Sequence, residues 1–330
     1  MESLPNLAVL AFAILLAAPG AAAQNQAGAP NEETVASLAA GRVVVAVVKG
    51  AILIGTIENP IEPDTHPPTP VAIGSERAGV ILGAVRWSSP SSQQEIARLD
   101  EDLPHLHSRE VNQSPQLGPD PTGLEATDLE AVGRGLLDRL NEVAANLHEK
   151  VDLPANEPLA ELILVGYQPG YGPEVWQLAY AMKQREEEPG YWTTRVLLPS
   201  YVQLWPPEKG QPHTLIEFAY PPENAPPTLL QLLRQKDPRL EKLISSDPKM
   251  AGAARLFLSG DSAKLLQADA TQFLRAALDA IAPPNTRETM AVITEENGFA
   301  WILAPPAEKR LLKDQPGRPA DAPSLLHPSQ

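Results

Sequence analysis

The fold is decided by residues 161–182, whose sequence is ELILVGYQPGYGPEVWQLAYAM. Residues 162–165 form an unbroken apolar run of strand length, and residues 166–173 are rich in the turn formers Gly and Pro. Residues 175–180 alternate well enough for a second strand. The stretch therefore predicts a β-hairpin with a long, tyrosine-bearing loop. Because helical regions lie on both sides of it in the chain, we expect it to be the central strand pair of a layered domain.

Three further hairpins are predicted, at residues 42–57, 71–87 and 289–303. In the first, two runs rich in Val and Ile flank a Lys-Gly pair, which is typical of a tight hairpin buried on both faces. In the last, an Asn-Gly pair is the turn signal. Residues 195–198 and 214–219 are predicted to be single strands, separated by a proline-containing segment.

Helices are predicted at residues 128–150, 229–244, 250–258 and 263–281. The first of them has apolar residues at the i, i+3, i+4 spacing of an amphipathic helix. Two Asp-Pro pairs, at residues 237–238 and 247–248, are expected to start helices, with Asp as the cap and Pro in the first turn. The order of hairpins and helices favours an α+β fold, in which antiparallel sheet layers pack against helices.

Composition excludes several classes of function. The chain has 330 residues, 36 prolines, no cysteine and a formal net charge of −15. This charge opposes binding to nucleic acid or to an anionic membrane surface, so we expect no nucleic-acid partner. The lack of cysteine excludes thiol catalysis, thiolate zinc sites, iron–sulfur clusters and disulfide bonds. The sequence has no phosphate-binding or dinucleotide-binding loop, and no cofactor is predicted.

The beginning of the chain predicts export. Residues 1–23 have the features of a signal peptide, with an apolar run at residues 7–18 and three alanines before Gln24. The apolar run is shorter than the roughly 20 residues of a transmembrane helix, so we expect no stable membrane span after cleavage. Glu2 departs from the usual positively charged start. We expect a periplasmic or extracellular protein.

The remaining chain divides into a spacer at residues 24–39, a main domain at residues 40–303 with a loop excursion at residues 88–126, and a disordered, proline-rich tail at residues 304–330. One or two helical turns are predicted at residues 32–40, and a short helix at residues 93–99 within the excursion.

The order of elements resembles that of the proteasome-like branch of the N-terminal-nucleophile hydrolases. The resemblance rests on the first hairpin, a glycine-containing strand at residues 79–85, the helix at residues 128–150, the Ile-Leu-Val-Gly-Tyr strand at residues 163–167, and a closing helix, strand and Asn-Gly turn. It covers about residues 40–303. It implies a four-layer αββα sandwich of antiparallel sheets.

The resemblance does not extend to the catalytic residues of that family. Its members use a Thr, Ser or Cys exposed as the first residue of the first strand, with an acidic residue and a lysine nearby. Here the resemblance places Ala40 or Gly41 at the nucleophile position and Thr56 near the acidic position, and residues 71–77 contain no lysine. We therefore expect a non-catalytic domain that acts in binding or scaffolding.

Two enzymatic alternatives remain open. Thr34 and Ser37 are the nearest upstream hydroxyls, and processing before either of them would give an active amidohydrolase or peptidase. His105 and His107 would face the same side of an extended segment among acidic residues, as in a metal-dependent enzyme, although an exposed loop with scattered charge is the favoured interpretation. Ser262, in a Gly-Asp-Ser sequence, is interpreted as a helix N-cap rather than a nucleophile.

Several aromatic residues follow one another around the central hairpin. The candidate binding surface consists of Tyr167, Tyr171, Trp176 and Trp192. Aromatic side chains are enriched at interfaces, but they also cover sheets. We expect a protein or peptide partner, with a homo-oligomer as an alternative.

Overall fold

The computed structural model describes residues 35–59, 65–74, 76–89, 94–113, 127–148, 158–168, 170–209, 211–212, 214–222 and 225–306. All of them belong to one compact unit. The predicted signal peptide, residues 24–34 of the predicted spacer and residues 307–330 of the predicted tail lie outside the described residues.

Fourteen strands occur in the described residues. They are β1 (Val35–Ala39), β2 (Gly41–Val48), β3 (Ala51–Glu58), β4 (Val71–Ile73), β5 (Arg77–Ser89), β6 (Gln94–Arg98), β7 (Ala160–Gln168), β8 (Gly172–Tyr180), β9 (Met182–Glu188), β10 (Tyr191–Val196), β11 (Ser200–Trp205), β12 (Ile216–Tyr220), β13 (Glu288–Thr294) and β14 (Gly298–Leu303).

Six α-helices occur in the same residues. They are α1 (Leu99–Gln113), α2 (Thr127–Ala144), α3 (Leu229–Arg234), α4 (Pro238–Ser246), α5 (Pro248–Ser259) and α6 (Gln267–Ile281). Each described helix is too short or too polar to span a bilayer.

The strands form two large antiparallel sheets and one separate hairpin. Sheet A has the order β1-β5-β7-β8-β11, and β4 and β6 also pair with β5. Sheet B has the order β12-β2-β3-β13-β14, while β9 and β10 pair only with each other in the described part of the chain. The predicted central hairpin is β7 and β8, and β7 is the middle strand of the sheet A order. The α+β class with antiparallel sheets is confirmed.

Three apolar clusters hold the sheets and helices together. The sheet A helix cluster joins α1 and α2 to sheet A, and the sheet B helix cluster joins α3 to α6 to sheet B. The third, the inter-sheet cluster, contains side chains from both sheets, among them Val43, Ile54, Val80, Ile163 and Tyr167. Along β2, Val43 belongs to the inter-sheet cluster and Val44 to the sheet B helix cluster. A strand that is buried on both faces needs an unbroken apolar sequence, as β2 and β3 have.

Most of the predicted hairpins and helices are confirmed. The hairpins β2–β3, β4–β5 and β13–β14 form where they were expected, and α2 forms up to Ala144. Asp237 and Asp247 are N-caps, since their side chains accept hydrogen bonds from the second backbone N–H that follows, and Pro occupies the first turn of α4 and α5. The predicted helix at residues 229–244 is two helices, because Asp237 starts a new one.

Some of the local predictions were wrong. Residues 35–39 are not helical turns or spacer but β1, which pairs with β5 from Ser88 to Gly83. Residues 94–98 are strand β6 rather than a short helix, and the predicted loop excursion also contains the whole of α1. The predicted separator at residues 199–212 contains β11. For β1 and β11, strand partners distant in sequence, β5 and β8, override a weak local preference.

Candidate functional site

Ala40 is hydrogen-bonded on both of its backbone groups at the place where the resemblance puts the nucleophile. Its N–H donates to the carbonyl of His66 at 3.1 Å, and its carbonyl accepts from the N–H of Asn59 at 3.1 Å. The chain continues through it from β1, which is paired with β5, into β2. A free α-amino group, which an N-terminal nucleophile needs as its base, is therefore not present at this point of the continuous chain.

The next residue, Gly41, has no room for a side chain. Its φ is +154°, and a Cβ would lie 2.2 Å from the carbonyl oxygen of Ile57 and 2.9 Å from a ring carbon of Pro68. The nearest obstacle belongs to the backbone of β3, which cannot rotate away as a flexible side chain would. A threonine or serine nucleophile does not fit here without displacement of the adjacent strand.

A neutral pair of hydroxyls occupies the position expected for the acid. The Oγ1 atoms of Thr56 and Thr289 are 2.8 Å apart, and both residues are buried. Thr56 lies two residues after Ile54 in β3, and Ile54 belongs to the inter-sheet cluster. Side chains two residues apart in a strand lie on the same face, so the side chain of Thr56 also faces sheet A. Each hydroxyl satisfies the other, and the pair supplies no negative charge.

Removal of one hydroxyl of this pair should be costly, and removal of both should not be. Thr56→Val is expected to lower the free energy of unfolding by about 1–3 kcal/mol, because the hydroxyl of Thr289 stays buried without its partner. The double variant Thr56→Val/Thr289→Val should lie within about 1 kcal/mol of the wild type. Urea unfolding of both single variants and the double variant measures this, and additive losses would contradict the pairing.

The one cation within residues 71–77, where the resemblance would place a lysine, is Arg77, and it is paired with Glu174. Its Nη1 donates to Oε1 of Glu174, and Oε2 of Glu174 accepts from Nε1 of Trp176 at 2.9 Å. Trp176 packs against the sheet A helix cluster, so Glu174, two residues before it in β8, is on the helix-facing side of sheet A. Arg77 is therefore held on the opposite face from the inter-sheet cluster.

A glycine allows this ion pair to form across the middle strand. Gly166 stands in register with Arg77 on one side and Glu174 on the other. A Cβ at Gly166 would lie 2.6 Å from Cγ of Arg77 and 2.7 Å from the carbonyl oxygen of Glu76. Both charged side chains are largely buried, with side-chain exposures of 10% and 8%. The glycine of the Ile-Leu-Val-Gly-Tyr strand, Gly166, thus leaves room for the side chains of a buried ion pair.

A second buried pair follows the nucleophile position. Nη2 of Arg42 donates to the carbonyl of Pro227 at 2.6 Å, and its Nη1 lies 3.9 Å from Oε2 of Glu217. Glu217 accepts hydrogen bonds from the N–H groups of Leu229 and Leu230, the first residues of α3. Burial raises the pKa of Glu217 despite these bonds. The pair fastens β2 and β12 to α3, which is a structural role.

Of the two predicted nucleophile candidates, only Ser37 belongs to the described residues. Thr34 lies outside them. Ser37 is in β1, half-buried, and its backbone stands opposite Arg86 of β5. Cleavage before Ser37 would divide β1 and remove its first pairings with β5.

His105 and His107 do not lie in an extended segment, because both belong to α1. Positions two apart in a helix are not on the same face, so the prediction that both histidines lie on one side of an extended segment is wrong. His105 is exposed, and the side chain of His107 lies outside the described side chains. Within the described residues there is no cluster of three His, Asp or Glu side chains able to hold a metal.

Ser262 is not the N-cap that its sequence indicated. It begins a short 3-10 helix, Ser262–Lys264, and is fully buried. Its Oγ donates to the carbonyl of Val47 at 2.9 Å, which ties this turn to the end of β2. The hydroxyl is satisfied by the backbone of sheet B.

The four aromatic residues of the candidate binding surface do not lie together. Tyr167 is buried in the inter-sheet cluster, whereas Trp176 packs against the sheet A helix cluster on the other face. Tyr171 is 73% exposed at the tip of the β7–β8 hairpin. Trp192 is half-buried in β10, where its backbone N–H donates to the carbonyl of His148.

Tyr167 offers a test of burial because its hydroxyl is buried without a hydrogen-bond partner among the described residues. Burial raises the pKa of Tyr167 to about 12, and the negative charge of Glu295 acts in the same direction. Tyr167→Phe is expected to leave the free energy of unfolding unchanged or to raise it by about 1 kcal/mol, since no hydrogen bond is lost. The matched control is Tyr180→Phe, which removes a hydrogen bond to the carbonyl of Gly133 and should cost about 1 kcal/mol.

The raised pKa of Tyr167 also predicts a pH dependence. A tyrosine in the unfolded chain has a pKa of about 10. Below that pH the contribution of neutral Tyr167 is fully present, and it is lost as the pH rises from 10 towards 12, because the unfolded chain releases the proton first. We expect the free energy of unfolding, measured with urea at both ends of this pH range, to fall less for Tyr167→Phe than for the wild type as the pH rises. Equal decreases for the two proteins would contradict the burial of Tyr167.

One exposed apolar stretch of the chain was not expected from the sequence. We name it the apolar strip, and its residues, 39–78% exposed, are Leu197, Leu198, Tyr201 and Val202. Leu197 and Leu198 precede β11, the last strand in the sheet A order, whereas Tyr201 and Val202 lie within β11 on opposite faces. Residues 196–207 contain no charged side chain. A Cβ at Gly133 in α2 would lie 2.3 Å from Oη of Tyr201, so Tyr201 packs against α2. The sequence signal, Tyr-Val between prolines, is too short to distinguish a strand from a loop.

The sequence matches no known protein-family model and no protein of curated function.

Proposed function

We propose that this protein is exported, has the proteasome-like four-layer αββα sandwich, and acts by binding or scaffolding rather than by catalysis. Three apolar clusters support the layer order: helices on sheet A, sheet A against sheet B, and sheet B against helices. Such clusters are what a four-layer sandwich requires, because each sheet must then be apolar on both faces.

The observation that carries the non-catalytic part of the proposal is the geometry at Ala40 and Gly41. Both backbone groups of Ala40 are hydrogen-bonded in a continuous chain, and Gly41 has a backbone oxygen of β3 where a side chain would begin. The two other roles of the family are filled by groups that are already paired, the hydroxyl of Thr56 and the guanidinium of Arg77. None of these groups is placed to act on a substrate carbonyl at the start of β2.

The binding part of the proposal is supported by the apolar strip. Exposed apolar side chains scattered singly are common, whereas consecutive ones mark interaction sites. Leu197 and Leu198 are consecutive and exposed, and they precede a strand that carries no charge. A protein partner can bury apolar area there.

The experiment is to determine the N-terminus of the mature, exported protein by intact mass and N-terminal sequencing. A start at Gln24 is expected. Treatment with a β-lactone, which acylates N-terminal hydroxyl nucleophiles, should leave the mass of the mature protein unchanged. A start at Thr34 or Ser37, together with an acyl adduct that disappears in the matching alanine variant, would overturn the proposal in favour of an amidohydrolase or peptidase.

A further inference from the structure

We infer that the outward face of the β9–β10 hairpin binds an extended segment of a protein partner that carries acidic side chains at alternate positions and one apolar side chain. We name this face the basic face, and its exposed residues are Lys183, Arg185, Thr193 and Arg195. The inference rests on the proposed binding function and names the chemistry of the partner.

The packing of the hairpin determines which of its side chains face solvent. Met182 packs against the sheet A helix cluster, and Val196 is buried within that cluster. Oγ1 of Thr194 donates to the carbonyl of Leu147, just after α2. Because side chains alternate between the two faces of a strand, the odd-numbered residues between these even-numbered ones face away from the protein.

Two cations stand directly opposite each other on the basic face. Lys183 is the register partner of Arg195, and both residues are exposed. Residues opposite each other in an antiparallel pair have Cβ atoms about 4.5–5.5 Å apart, and like charges in these positions are destabilising. Neither cation has an acidic partner among the described residues. An anionic group bound above the pair would relieve this repulsion.

A third cation lies beside this pair and is only weakly neutralised. Nε of Arg185 is 3.6 Å from Oε1 of Glu187, and their side chains are 78% and 42% exposed. The same carboxylate oxygen accepts from Oγ1 of Thr193 at 3.3 Å. Ion pairs this exposed to solvent are weak. With three cations and one carboxylate, the face is positive on a chain of formal net charge −15.

An exposed leucine extends the basic face at one end. The N–H of Leu197 donates to the carbonyl of Ala181 at 2.8 Å, so the pairing continues past Met182 and Val196. Leu197 is 40% exposed and lies two residues after Arg195, on the same face. Same-face residues of a strand are about 6.7 Å apart, which is also the spacing of alternate side chains in an extended peptide.

The charge distribution favours a short acidic peptide segment as the occupant. At physiological salt a charge is felt over about 8 Å, so a small anionic segment on the basic face is attracted by the nearest cations. A nucleic acid, an acidic polysaccharide or an anionic membrane extends further and meets the acidic remainder of the chain. Leu197 also favours an apolar group beside the acids, which a phosphate or sulfate polymer backbone lacks.

Fluorescence anisotropy with a labelled peptide, Leu-Ser-Glu-Ser-Glu, tests the inference on the full-length protein. Lys183→Gln/Arg195→Gln should raise the Kd about 10-fold, because charge-assisted contacts to a glutamate are lost. The matched control, Lys242→Gln/Arg255→Gln, removes the same two charges from exposed positions on α4 and α5 and should bind like the wild type. Equal weakening in both double variants, or no saturable binding by the wild type at low salt, would overturn the inference.

Changes in the ligand test its chemistry. A peptide with Gln in place of Glu should not bind. A peptide with Ser in place of Leu should bind more weakly, and Leu197→Ser should not weaken that peptide further. If an oligonucleotide, heparin or a phosphatidylserine vesicle bound the basic face more tightly than the acidic peptide, the choice of occupant would be wrong.

Urea unfolding separates a binding face from a structural one. Lys183→Gln/Arg195→Gln should be as stable as the wild type or more stable, because the repulsion across the strands is removed. A clear loss of stability would show that these cations serve the fold, and it would overturn the inference.

The two proposals fail separately. A mature start at Gln24 without an acyl adduct, in a protein that does not bind the peptide, would remove the basic face as a binding site and keep the non-catalytic assignment. A processed nucleophile in a protein that still binds the peptide through Lys183 and Arg195 would remove the proposed function and keep the binding site.

Discussion

Gly41→Ala is expected to lower the free energy of unfolding by more than about 3 kcal/mol, and Gly41→Thr by more still. The reason is steric, because the new Cβ would overlap the carbonyl oxygen of Ile57, which lies 2.2 Å from its ideal place. The positive φ of residue 41 would also strain any residue with a side chain. Neither this backbone conformation nor the contact with β3 can change without movement of sheet B. Urea unfolding of the purified variants measures the effect.

Gly50→Ala is the matched control for this prediction. Gly50 also has a positive φ, +74°, but no atom lies within 4 Å of its Cβ position. Its substitution should cost only about 1 kcal/mol, from the backbone conformation alone. If both variants lost the same stability, the close approach of β3 to Gly41 would be refuted. The side chain of a nucleophile would then fit at residue 41.

Glu174→Ala is expected to lower the free energy of unfolding by about 3–5 kcal/mol, because the guanidinium of Arg77 would remain buried without its partner. Both side chains are largely buried on the helix-facing side of sheet A, and Trp176 would also lose its hydrogen bond to Glu174. The double variant Arg77→Met/Glu174→Leu removes both charges and should lose less stability than the single variant.

An exposed ion pair provides the comparison. Arg134 and Glu130 are paired one turn apart on α2, with side-chain exposures of 49% and 55%. Glu130→Ala should cost less than about 1 kcal/mol. Thermal or urea unfolding of the variants ranks them. A Glu174→Ala variant as stable as Glu130→Ala would show that the Arg77 charge is hydrated rather than buried.

Much of the fold was predictable because its signals are local. The strands β2, β3 and β7 contain apolar runs bounded by turn formers, β8 has an alternating pattern, and α2 has the helical spacing of apolar residues. The Asp-Pro pairs at residues 237–238 and 247–248 specify helix starts through the fixed φ of proline and the side chain of Asp. In these places the information lies within a few residues.

The candidate site was predictable only in part. The sequence alone indicated that Ala40, Gly41 and Thr56 lack the chemistry of a nucleophile and an acid. It did not reveal that Thr56 pairs with Thr289, since these residues are 233 positions apart. It also did not place Arg77 against Glu174, because that contact requires three strands in register and a glycine in the middle one.

The sequence by itself determined the class of this protein: an acidic, cysteine-free α+β chain with antiparallel hairpins. Only the tertiary structure decided that residues 35–39 and 200–205 are strands, that Ser262 bonds to Val47, and that the aromatic residues of the hairpin lie on opposite faces. The physical reason is that a short segment with weak propensity becomes a strand when a distant strand offers its hydrogen-bonding edge.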